Sequence, residues 1–192
     1  MTLDPPPAAA TTDSADAPSP ERPPVRIHVI LVEPEIAGNT GAVGRSCVAA
    51  GAGLWLVRPL GFHLDHRRIR RAGLDYWEHL TYTIVDSLDE ALERIGTGRA
   101  WYFSGKASRV YTSVEYRVGD ALVFGSESRG LPERLLAERA EHAVRIPIRP
   151  EARSLNLGNA ASIGLFEAVR RIDAADSLAP GAGSDRSGLL AP

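Results

Sequence analysis

From Val25 to Ala174 the chain alternates short apolar runs with segments of helical period. Ile27-His28-Val29-Ile30-Leu31-Val32 is almost continuously apolar, the mark of a strand buried on both faces of a parallel sheet. Leu54 to Val57, Ala100 to Ser104, Ala121 to Phe124 and Ala143 to Ile146 read the same way. Gly38-Asn39-Thr40-Gly41 opens a helix ended by Gly51, with Asn39 or Thr40 as its expected cap. Ser87-Leu88-Asp89-Glu90 is a capping box, so a second helix starts there and stops before Gly96. Pro132 suits the first turn of a third, with Glu133 beside its positive dipole end. Leu157, Ala161, Leu165, Ala168 and Ile172 recur at helical spacing, so a last helix carries an apolar face. Asn156 or Asn159 can cap it. Ala160, Ala161, Gly164 and Ala168 on that helix are small enough for another backbone to come close. Strands alternating with helices give an α/β fold: a mostly parallel sheet flanked by helices.

The two ends break the pattern. Residues 1–24 and 175–192 are rich in Pro, Ala, Ser, Asp and Gly and lack any apolar period. They are expected to be disordered tails, leaving one folded unit over 25–174. The 192 residues carry a formal net charge of −2, but both ends are acidic, and the remainder is slightly basic. That balance is compatible with RNA without arguing for it. The only cysteine is Cys47, so no intrachain disulfide forms, and a small buried side chain is its expected role. No apolar run reaches membrane-spanning length, and no signal peptide is recognisable. A cytoplasmic protein is expected.

Candidate chemistry gathers at the carboxyl ends of strands, where open parallel sheets bind ligands. Ser104-Gly105-Lys106, Gly125 to Pro132 and Pro147 to Asn156 each leave an apolar strand there. Gly125 permits close backbone approach. Apolar slots lined by main chain suit an adenine ring better than a bare phosphate. No Walker lysine, HExxH, CxxC or GxSxG pattern is present, and no His/Cys set is spaced for a metal. Gly51-Ala52-Gly53 follows a helix and precedes a strand, the reverse of a dinucleotide loop. Arg67, Arg68, Arg70 and Arg71 form a basic cluster, either a solvated helix face or a set of RNA phosphate contacts. Tyr76 and Trp77, just beyond it, either stack on an unpaired base or pack on the domain.

Four motifs in order carry a resemblance. EPEIAGNTGAVGRSC, RPLGFHLDHRRIRRAGLDY, LVFGSESRGLP and VRIPIRPEARSLNLGNAASIGLFEA resemble the SPOUT class of RNA methyltransferases, SpoU type, nearest its tRNA (cytidine(34)-2'-O)-methyltransferase branch. The resemblance covers nearly all of 25–172. It implies S-adenosylmethionine as cofactor, tRNA as substrate, methyl transfer to a ribose 2'-hydroxyl at wobble nucleotide 34, a C-terminal trefoil knot and a homodimer. Carried over by position, cofactor contacts fall on Phe103, Gly125, Glu127, Ile146, Ser154 and Asn156. Arg45 is the residue expected to act on the RNA, with Arg153 a second catalytic candidate. A guanidinium stays protonated to a pH above about 12. Arg45 is therefore expected to orient the ribose–phosphate and stabilise the developing alkoxide; the alternative is a surface ion pair with Glu33 or Glu35. A threaded chain would account for the small residues of the last helix. Two departures stand out: Gly158 replaces the usual Ser, losing a cap hydroxyl, and Phe166 stands where some relatives carry tyrosine. Other readings are ribose methylation of ribosomal RNA or of another tRNA position, or a non-catalytic RNA-binding knotted protein. Larger ribosomal-RNA relatives often carry an extra N-terminal RNA-binding domain, for which residues 1–24 are too few.

Overall fold

The computed structural model describes residues 25–63 and 75–178. Strand β1 (His28–Val32) leads into helix α1 (Ala37–Ala50) and strand β2 (Gly53–Val57). A 3₁₀ turn (Asp75–His79), strand β3 (Tyr82–Val85), helix α2 (Leu88–Ile95) and strand β4 (Ala100–Phe103) follow. Then come β5 (Arg109–Val110), β6 (Ala121–Phe124), the short helix α3 (Glu133–Glu138), β7 (Ala143–Arg145) and the long helix α4 (Leu157–Leu178). The strands form one sheet in the order β3-β2-β1-β6-β4-β7-β5. Every pairing in it is parallel.

Strand alternation divides the core in two. Val29, Leu31, Leu54, Leu56, Phe103, Leu122 and Phe124 point to the side covered by α1 and α4. Ile30, Val85, Tyr102, Ala121 and Val123 point to the other side, under α2 and α3. Both faces are covered, which is why these strands read as unbroken apolar runs. Each fully buried Leu or Ile contributes about 1.5–3 kcal/mol relative to exposure. At the amino ends of the strands, Asp120 is a buried carboxylate held by Arg99 Nε at 2.8 Å, Trp101 Nε1 at 2.9 Å and Arg117 N at 3.1 Å. Its acceptors are filled, so it braces that edge of the sheet.

The structure differs from the pattern in three places. Helix α1 begins at Ala37 with Ile36 at its cap position, so Asn39 and Thr40 lie inside the first turn and neither caps it. Strands β3 and β5 were not legible: β3 is half-buried at the sheet edge, and β5 has only two residues. Helix α4 continues to Leu178, past Ala174. Asp173 and Asp176 on its last turns hold Arg26 at 2.7 and 2.9 Å, which ties the extension to the start of the sheet.

Other expectations hold. Gly51 ends α1 at φ 64°, a left-handed conformation that glycine adopts at little cost. Ser87 Oγ accepts from Glu90 N at 3.1 Å, while the Glu90 carboxylate accepts from Asp86 N at 2.9 Å. The reciprocal bond of the capping box thus falls one residue early. Asn156 caps α4, its Oδ1 accepting from Asn159 N at 3.3 Å. The apolar stripe Leu157, Ala161, Leu165, Ala168 and Ile172 is buried throughout. The small residues of α4 answer to neighbouring elements. A Cβ on Gly158 would sit 3.1 Å from Ala42 Cβ of α1, and one on Gly164 would sit 2.8 Å from the Phe103 ring.

Candidate functional site

A cavity of about 580 Å³ opens at the carboxyl ends of β4, β6 and β7. Phe103, Phe124, Leu131, Ile146, Leu157 and Ala160 supply apolar wall, and the loops 104–105, 125–130 and 153–156 supply main chain and small polar groups. The Phe103 and Phe124 rings stack at 4.5 Å and form one side. Each expected cofactor residue lines this cavity: Phe103, Gly125, Glu127, Ile146, Ser154 and Asn156. Arg153 lies on its exposed rim.

The wall at Gly125 is built by backbone on backbone. The segment after β6 doubles back, with Gly130 N donating to Ser126 O at 2.8 Å and Gly130 at φ 67°. A Cβ on Gly125 would lie 2.0 Å from the Gly130 carbonyl carbon. The glycine is required by the chain's own return.

A polar clasp joins this loop to the start of α1. Glu127 accepts from Glu35 N at 2.8 Å, Ile36 N at 3.2 Å and Asn39 Nδ2 at 2.9 Å. A carboxylate at a helix start meets free N–H groups and the positive dipole end. Glu35 answers by accepting from Ser128 N at 3.1 Å and from the Ser128 hydroxyl. Arg129 pairs with Glu33 at 2.6 Å. Asn39 Oδ1 also accepts from Asn156 Nδ2 at 2.8 Å, so one side chain links both cavity loops to α1. Partial burial pushes the Glu127 carboxyl up, but the bond from Asn39 and then the backbone bonds outweigh it, and the net shift is downward.

In the sequence the loop Glu33 to Asn39 shows only a strand end and a helix start. Its share of the site was missed because Asn39 and Glu127 are 88 residues apart. No local pattern records that pairing.

The model of the SpoU rRNA Methylase family matches residues 26–166. This chain belongs to the SpoU methylase family. A tRNA (cytidine(34)-2'-O)-methyltransferase of Saccharophagus degradans is 42% identical over 151 residues, covering 78% of this chain and 98% of that one. A solved structure concerned with 2-OH methylation of C/U34 on tRNA matches at TM-score 0.70 and 42% identity, over 76% of this chain and 95% of the other. The SpoU methyltransferase AviRb of Streptomyces viridochromogenes, solved with AdoMet, matches at TM-score 0.65 and 27% identity, over 81% of this chain and 62% of its own.

In this SpoU methylase Arg45 does not line the cavity. It lies on the exposed face of α1, with its guanidinium carbon 4.7 Å from the Tyr76 ring centroid. The alternative of an ion pair with Glu33 or Glu35 gives way to this contact: Glu33 pairs with Arg129, and Glu35 accepts from Ser128. Arg45 and Arg153 are therefore not neighbours in one cavity. Arg67, Arg68, Arg70 and Arg71 lie outside the described residues. Trp77 is buried and packs on the domain, and the Tyr76 hydroxyl donates to Gly41 O at 2.9 Å. Cys47 is fully buried, and burial pushes its thiol up to about 12, so it packs and does not attack. At Gly158 the cap falls to Asn156, while the Ser162 hydroxyl bonds Gly158 O and the Ser46 hydroxyl, both at 2.8 Å. Phe166 is exposed on the outer face of α4. Among the described residues no group of three or more His, Cys, Asp or Glu is placed to hold a metal, and no helix is long and apolar enough to cross a membrane.

Proposed function

We propose that this SpoU methylase transfers a methyl group from S-adenosylmethionine to the ribose 2'-hydroxyl of tRNA at nucleotide 34, a cytidine or uridine. The observation that carries the reading is the cavity at the strand ends, with Phe103, Gly125, Ile146 and Ser154 around one space. Its volume lies within the usual range of about 300–1,000 Å³ for small-molecule sites. The stacked Phe103–Phe124 wall and the apolar Leu131, Ile146 and Ala160 suit an adenine ring and the methylene stem of the methionine part. Main chain of 125–130 and 153–156 supplies donors and acceptors for the nucleoside and amino-acid groups. The residues present therefore fit the cofactor. Relatives above 40% identity with tRNA nucleotide 34 in their names support the substrate.

The bound cofactor supplies an electrophilic methyl group on sulfur. The chain's task is placement. Loops gripping the nucleoside by main chain hold it in one pose, and such positioning is worth about 7–11 kcal/mol in good intramolecular cases. The ribose oxygen gains negative charge as its proton leaves, and a fixed cation beside it lowers that cost. Arg153 on the rim and Arg45 on α1 are the cations proposed for this and for the ribose–phosphate. Glu127 acts through its clasp on α1, keeping Asn39 and Asn156 in register with the loops. Arg67, Arg68, Arg70 and Arg71 are proposed to hold tRNA phosphates.

The same reading proposes a C-terminal trefoil knot, supported by the doubled-back 126–130 loop and the 146–156 segment lining one cavity before α4 returns to β6. It also proposes a homodimer. Ile36, Ile163 and Phe166 are large apolar side chains exposed on α1's start and on α4, and a second copy covering Ile36 would lie beside the cavity, which Ile36 lines. The proposed compartment is the cytoplasm, with tRNA and cofactor at hand.

The test is ribose mapping by mass spectrometry of tRNA from cells lacking this protein. Loss of 2'-O-methyl at nucleotide 34, restored by the wild-type chain and not by Arg45→Ala, is expected. An unchanged nucleotide 34 with methyl lost from ribosomal RNA would overturn the substrate.

A further inference from the structure

Tyr76 touches the turn of α1 that carries Arg45 in two separate ways. Its ring lies 4.7 Å from the Arg45 guanidinium carbon. Its hydroxyl donates to Gly41 O at 2.9 Å. Gly41 precedes Arg45 by four residues, so that carbonyl is also the helical acceptor for the Arg45 N–H. The segment bearing Tyr76 is itself fixed on α1. A Cβ on Gly44 would come 2.9 Å from the Trp77 ring and 3.0 Å from Leu80, so glycine lets the segment lie flush there. Trp77 is buried and packs against Tyr82 with ring centroids 5.4 Å apart. Arg45 by contrast is exposed. A long cation on a helix surface samples many rotamers and gives up that freedom when it binds. The negative face of an aromatic ring favours one of them.

We propose that Tyr76 is the positioning residue for Arg45: its ring holds the guanidinium in the pose that meets the tRNA, and its hydroxyl fixes the ring against α1. The proposal rests on the reading of Arg45 as the residue that acts on the RNA. Tyr76 does not line the cavity. Its effect passes through the arginine, so it belongs in the rate of methyl transfer rather than in cofactor affinity.

Fluorinated phenylalanines at position 76 provide the test, because fluorine drains the ring's negative face while nearly keeping its shape. Single-turnover methyl transfer to tRNA is measured for Tyr76→Phe and for mono-, di- and trifluoro-phenylalanine at 76. Each is made in the wild-type chain and in Arg45→Ala, with AdoMet affinity and Tm recorded for all. Tyr76→Phe is expected to lose about two- to threefold, and fluorination to slow transfer stepwise to about tenfold in all. AdoMet affinity and Tm stay level along the fluorinated series. In Arg45→Ala the rate starts low and does not respond to fluorine. A flat series in the wild-type chain, with Arg45→Ala slow, overturns the positioning role alone. An equal decline in the Arg45→Ala background overturns it too, since the ring would then act on the RNA directly. An Arg45→Ala chain that transfers at the wild-type rate removes the reading of Arg45 and the proposal with it.

Discussion

Single residues set the shape of the cavity. Gly125 is the clearest, since a methyl there would sit 2.0 Å from the Gly130 carbonyl carbon. Backbone cannot swing aside as a side chain can. Gly125→Ala should cost about 3 kcal/mol, the upper end for overpacking, and calorimetry should show AdoMet binding lost even where the chain stays folded. Glu127 makes a pH prediction. Its folded-state pKa is lowered by Asn39 and backbone N–H groups despite partial burial. A lowered carboxylate contributes stability above its unfolded value, about 4.3 for Glu, and loses it as pH falls through the lower folded value. The clasp's contribution should therefore be intact above the unfolded value and be lost as pH falls from there through the lower folded value. Urea unfolding from pH 7 to pH 3 should show a steeper fall in the wild-type chain than in Glu127→Gln, which keeps only the share due to other lowered carboxylates such as Glu167.

At the scale of elements, the pairing of α1 with α4 decides how the loops meet. Ala42 lies against Gly158, Ser46 bonds Ser162, and Asn39 bonds Asn156 along one seam. Asn156 both caps α4 and holds Asn39. Asn156→Ala should cost about 1–2 kcal/mol, as other N-cap losses do, and should weaken AdoMet binding in the same protein. Equal AdoMet affinity by calorimetry would show the seam to be separate from the cavity. This is also the scale at which legibility divides. Strand β1 was plain because Val29, Ile30 and Leu31 are buried on both sides. Strand β3 was not, because Tyr82, Thr83 and Ile84 are half-buried and their tyrosine and threonine blur the run. The Asn156 cap was legible because its partner is three residues on, and the α1 start was misread because its carboxylate comes from Glu127, far along the chain.

At the scale of the molecule, sequence order put the cavity within reach, since parallel strands send their loops to one end. Strand order placed the loops 104–106, 125–132 and 147–156 there, and only the family resemblance singled out Phe103, Gly125, Ile146 and Ser154, all of which line the cavity. What could not be placed was Arg45, whose exposed position on α1 depends on a packing partner, Tyr76, from a separate segment. The chain's formal charge of −2 at pH 7 gives no general attraction to RNA, so local cations must supply it. Reversing Arg67, Arg68, Arg70 and Arg71 to glutamate should weaken tRNA binding at least about tenfold and flatten its dependence on salt. AdoMet affinity should hold. Filter binding across a salt series reads both, and an unreduced slope would remove these residues from the interface.

The central claim is that one cavity, gripped by main chain from the loops after β4, β6 and β7, delivers a methyl group to the ribose of nucleotide 34. Its most direct test is purified protein with unmodified tRNA and methyl-labelled AdoMet, followed by nuclease digestion and mass mapping of the label. Label is expected on the 2'-oxygen of nucleotide 34 and is expected to be absent with Gly125→Ala. AdoMet bound by calorimetry with no label transferred, or label at any other nucleotide, would contradict it.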